Sequence, residues 1–143
     1  MLTDWPHVIN ETSVWKSSVY ADDSRWIVHL TEPQLAEIEH AARQIASSGQ
    51  DPTSFRKSDF TLPTVASLLD DLLRTLQEGR GFVFLRGLDA TRYDIDTLKI
   101  MYWGICSYFG EGISQNAQGE TMSAVTDYGD SFEGTDPYRH NIR

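Results

Sequence analysis

The chain has 143 residues, with 21 acidic against 12 basic side chains and a formal net charge of −9. A surface that negative repels phosphate backbones and lacks the Lys/Arg cluster that anionic lipid attracts, so neither a nucleic-acid nor a membrane partner is expected. The 40% hydrophobic content suffices for the core of one domain, and the 11% aromatic content argues against disorder.

A single cysteine, Cys106, excludes an internal disulfide; its apolar helical surroundings predict a buried, inert thiol. The opening Met1-Leu2-Thr3-Asp4-Trp5-Pro6-His7 has no basic start followed by an apolar run, and no stretch approaches the roughly 18 apolar residues of a membrane span. A reducing cytoplasm is the expected compartment.

Ser13 to Lys16 and Ser24 to Leu30 are short Trp-containing, β-branched runs, predicting an extended lead and a short strand. A first helix follows. Thr31 and Gln34 form a Thr-x-x-Gln capping box, Pro33 falls in the first turn, and Leu30 and Leu35 fit a hydrophobic staple. Leu35, Ile38, Ala42 and Ile45 mark its buried face, and Gly49 its stop. After a polar loop containing Asp51-Pro52 and Arg56-Lys57-Ser58-Asp59, a second helix is expected from Thr61 to Glu78. Its core stripe is Val65, Leu68, Leu69, Leu72, Leu73 and Leu76, and Gly79 ends it.

Gly81 to Gly87 is a continuous apolar run between glycines, which predicts a strand buried on both faces. A third helix is expected from Asp94 to Phe109, with Ile95, Leu98, Met101, Tyr102, Ile105 and Phe109 facing the core. An irregular stretch from Gly112 to Glu120, a short strand from Met122 to Thr126 and a basic tail from Tyr138 to Arg143 complete the chain. Two or three short strands need further partners, so the sequence reads as the front of a larger fold.

No complete catalytic set is visible. The four histidines are His7, His29, His40 and His140; none precedes Asp or Glu by two positions, and no His-x3-His pair exists. His40 reads as a packed or surface residue and His29 as solvated. Gly79-Arg80-Gly81 precedes a strand instead of following one, which excludes the dinucleotide fingerprint. The nucleophile elbow and the P-loop are missing too. Asp22-Asp23 and Asp70-Asp71 are adjacent pairs whose side chains point apart, unlike an acid/base dyad.

Taken together, Gly79-Arg80-Gly81-Phe82-Val83-Phe84-Leu85-Arg86-Gly87-Leu88 resembles the "GRGFxxLRGL" strand of taurine dioxygenase-like (TauD/TfdA) enzymes. Tyr108-Phe109-Gly110 matches the Phe-Gly end of the short helix that follows there. Ser114-Gln115-Asn116-Ala117-Gln118-Gly119-Glu120 looks like the "SQNxxGE" loop, and Val125 to Gly129 like the step toward the metal motif. Trp26 followed by the Thr31 helix matches the opening. The resemblance covers nearly the whole chain, in order.

What it implies is an α+β chain forming the N-terminal portion of a double-stranded β-helix (jelly-roll) oxygenase, with three helices and a few strands. The chain is then one incomplete domain. Residues 1–30 are the lead and short strand, 31–110 a helical subdomain containing the buried strand 81–87, and 111–143 an active-site-side loop with the first jelly-roll elements. The family uses iron(II) and 2-oxoglutarate to hydroxylate or otherwise oxidise a small molecule. Its ligands are a His-x-Asp/Glu pair and a distal His, a facial trio that leaves positions open on the metal. That pair falls shortly after a segment resembling Arg139 to Arg143, so no metal ligand and no catalytic residue is assigned here, and the chain alone is expected to be an inactive fragment.

Gln115 and Asn116 are the candidate substrate contacts, against the alternative of an amide pair satisfying loop backbone groups. Arg86 reads as an anion clamp or as a structural partner of a carboxylate at a strand end. Arg139 and Arg143 either approach a carboxylate ligand or belong to a solvated tail. A non-catalytic remnant or small-molecule binding module of the same fold is the alternative function. An exposed apolar edge from Phe82 to Leu85 is expected, covered by a homo-oligomer or by a complementing C-terminal segment.

Overall fold

Leu30, Thr31, Pro33 and Gln34 start the first helix as their order predicts. In the computed structural model, which describes residues 11–22, 24, 26–114 and 116–123, the Thr31 N–H donates to Gln34 Oε1 at 2.9 Å. Leu30 and Leu35 are both buried beside that cap. Helix α1 runs Glu32–Ser48 and buries Leu35, Ile38, Ala41, Ala42 and Ile45. Gly49 stops it in the left-handed region, φ 71°, with its N–H on the Ala46 carbonyl at 3.4 Å.

Helix α2 spans Val65–Glu78, starting four residues later than its apolar pattern suggests. Two causes hold Thr61 to Thr64 out of the helix. The Tyr108 hydroxyl donates to the Phe60 carbonyl at 2.9 Å and accepts the Leu62 N–H at 3.1 Å, fixing that strip of backbone. Pro63 also disfavours helical geometry in the residue before it. Val65, Leu69 and Leu72 are buried, whereas Leu68, Leu73 and Leu76 are half-buried. The loop before α2 is less polar in effect than in composition. Phe55, Phe60 and Leu62 all enter the core, and the Trp103 Nε1–H donates to the Phe55 carbonyl at 2.9 Å.

Helix α3, Ile95–Cys106, is capped by Asp94, whose carboxylate accepts the Thr97 N–H and the Thr97 hydroxyl, each at 2.8 Å. It ends three residues short of Phe109: the N–H groups of Tyr108 and Phe109 fall back on the carbonyls of Ile105 and Cys106, in a tighter turn. Its core face is Ile100, Met101, Gly104 and Ile105. Ile95 and Tyr102, expected in the core, are 65% and 64% exposed. α3 packs against α1, and α1 against α2.

Two strands, β1 (Ile27–His29) and β2 (Phe84–Arg86), pair in parallel with Ile27 opposite Phe84, Val28 opposite Leu85 and His29 opposite Arg86. The strand buried on both faces over 81–87 is therefore corrected to a three-residue strand with Phe84 and Arg86 exposed and Leu85 half-buried. Phe82, just before it, joins an aromatic group instead: its ring centroid lies 4.8 Å from Trp15, 5.0 Å from Tyr20 and 6.0 Å from Trp26. Arg86 makes no ion pair among the described residues; its guanidinium sits over the Phe84 ring, 5.3 Å from the centroid.

Three helices and two parallel strands make the described residues α+β. The chain divides into two compact units, Met1–Glu111 and Gly112–Arg143, and every element above belongs to the first. Of the strand expected from Met122 to Thr126, Met122 and Ser123 are irregular and the rest lies outside the described residues. No helix among the described residues is long and apolar enough to cross a membrane.

Candidate functional site

The candidate loop belongs to the second unit, and Asn116 is its organiser. The Asn116 Oδ1 accepts the N–H groups of Gln118 at 3.1 Å and Glu120 at 3.0 Å. Its amide nitrogen donates to the Glu120 carboxylate, which also receives the Ser123 hydroxyl at 3.2 Å. The Asn116 carbonyl accepts the Gly119 N–H at 3.1 Å and the Ser114 hydroxyl at 3.0 Å. Gly119 takes φ 83°, a left-handed geometry that glycine adopts without steric cost. Asn116 thus closes a tight turn with its own side chain, the geometry of an Asx turn. Gln115 lies outside the described residues.

Chemically, the described residues of this loop form a polar platform with one carboxylate, Glu120, held by the Asn116 amide and the Ser123 hydroxyl. Among the described residues no group of three His, Cys, Asp or Glu side chains could hold a metal ion. His29 and His40 are both exposed, on β1 and α1 respectively; His7, His140, Arg139 and Arg143 lie outside the described residues. Cys106 is half-buried, and burial pushes its thiol up while the Tyr102 hydroxyl offsets part of that, so it stays protonated and unreactive at neutral pH.

Two polar constellations escaped the sequence reading. Glu37 of α1 reaches the start of α2, where its carboxylate accepts the Thr64 N–H at 2.9 Å, the Val65 N–H at 3.0 Å and the Thr64 hydroxyl. Burial raises its pKa, but the hydroxyl and the two backbone donors outweigh that and hold the carboxyl below its ordinary value. Thr64 makes no side-chain cap of its own. The N–H groups of the first turn of α2 therefore need an acceptor from elsewhere, and no local sequence signal names Glu37 as that acceptor.

The second is Glu39, which accepts the Tyr93 hydroxyl at 2.6 Å and lies 3.6 Å from both Arg43 and Arg92. The Tyr93 hydrogen bond lowers its carboxyl first, partly opposed by burial, with the two guanidiniums adding to it; Tyr93 is raised by the same bond. This cluster ties the segment before α3 to α1, a structural role.

No family model matches the chain. It is 30% identical over 127 residues, 87% of its own length, to the taurine hydroxylase-like protein SAT17 of Stachybotrys chartarum (strain CBS 109288 / IBT 7711). The chain spans about a third of that relative's length, 33%. The match supports a relationship to taurine hydroxylase-like proteins at low identity, in agreement with the motifs at Gly79 to Leu88 and Ser114 to Glu120.

Proposed function

We propose that these residues form the N-terminal portion of an iron(II)- and 2-oxoglutarate-dependent oxygenase that oxidises a small molecule, and that the jelly roll with its metal ligands is built from other residues. The observation that carries this reading is the match over 127 residues to a taurine hydroxylase-like protein about three times as long as the matched segment. The residues present do not fit an iron(II) centre, since no three donors converge among those described. No catalytic step is derived through the metal here.

The chain's own contribution is a supporting one: a helical layer built on α1, α2 and α3, and a separate loop stiffened by Asn116. In this reading Gln115 is the candidate substrate contact of that loop, and Asn116 shapes the backbone that presents it. The amide of Asn116 already spends its oxygen twice and one N–H on the loop itself, which leaves one N–H for a ligand.

The test is anaerobic titration of the complete gene product carrying these residues with iron(II) and 2-oxoglutarate, followed by visible absorption. The oxygenase reading expects a weak metal-to-ligand charge-transfer band that depends on both additions. Its absence from a folded complete protein removes that reading in favour of a non-catalytic member of the same fold.

A further inference from the structure

We draw no further inference here: the strongest candidate, the aromatic surface patch that runs from Trp15 through Phe82 and Trp26 to Phe84 on β2, carries nothing because nothing in the structure shows what covers it.

Discussion

Glu37 shows how one side chain can decide where a helix begins. Its carboxylate supplies the acceptor that α2's first turn needs, from a different helix, and its negative charge sits at the positive end of the α2 dipole. Glu37→Gln keeps the shape but loses the charge, and should lower stability by about 1–2 kcal/mol at neutral pH. Because folding lowers this carboxyl's pKa, its stabilisation is present above the unfolded value near 4.5 and disappears as pH falls through the lower folded value. Urea unfolding at a series of pH values should therefore show the variant and the parent separated at pH 7 and converging on the acid side. A constant gap across that range would mean that charge plays no part.

Gly104 makes a second argument at single-residue scale. A Cβ built there would lie 2.5–2.6 Å from three atoms of the Phe60 ring, and that ring is fully buried and stacked on Phe55. Gly104→Ala gains about 1 kcal/mol of helix propensity but overpacks a site with no room to give, at a cost of about 1–3 kcal/mol. Thermal unfolding should show a net loss of stability, recovered when Phe60→Leu is combined with it. A stabilised single variant would show that Phe60 moves aside freely.

At the scale of elements, helix α1 was legible because its signals are local: cap, staple, apolar face and stop glycine all lie within twenty residues of one another. The start of α2 was not, because it depends on Tyr108, 46 residues from Leu62, and on Glu37. The apolar run around Phe84 misled for a related reason. Consecutive apolar residues suit a strand covered on both faces, yet here one face of β2 has no cover among the described residues, and Phe82 is absorbed by Trp15, Tyr20 and Trp26. Periodicity alone also placed Ile95 and Tyr102 in the core of α3, where tertiary packing selected a neighbouring face. Of the candidate site, an amide satisfying loop backbone groups was one of the two readings of Asn116 open from the sequence, and the coordinates supply its partners, the N–H groups of Gln118 and Glu120.

Tyr108→Phe tests the long-range pin. Removing the hydroxyl leaves the buried Leu62 N–H and Phe60 carbonyl without their partner, which should cost about 1–3 kcal/mol. Hydrogen exchange should quicken first at Leu62 and in the opening turn of α2. Loss spread evenly over all three helices would instead indicate that the hydroxyl matters only to global packing.

For the whole molecule, the described residues supply a packed helical core and a two-stranded parallel sheet, which is small for a sheet standing alone. The relative it matches is about three times as long as the matched segment. The sequence contains no His-x-Asp or His-x-Glu pair, and the described side chains contain no cluster of three metal donors. On the proposed oxygenase reading, the division of labour is between a scaffold formed by these residues and a facial ligand set carried by others.

Equilibrium dialysis of the 143-residue chain against iron(II) and 2-oxoglutarate without oxygen measures that division directly. The account predicts no stoichiometric iron and no charge-transfer absorption from the folded chain. One bound iron per chain, with a band that requires 2-oxoglutarate, would contradict it.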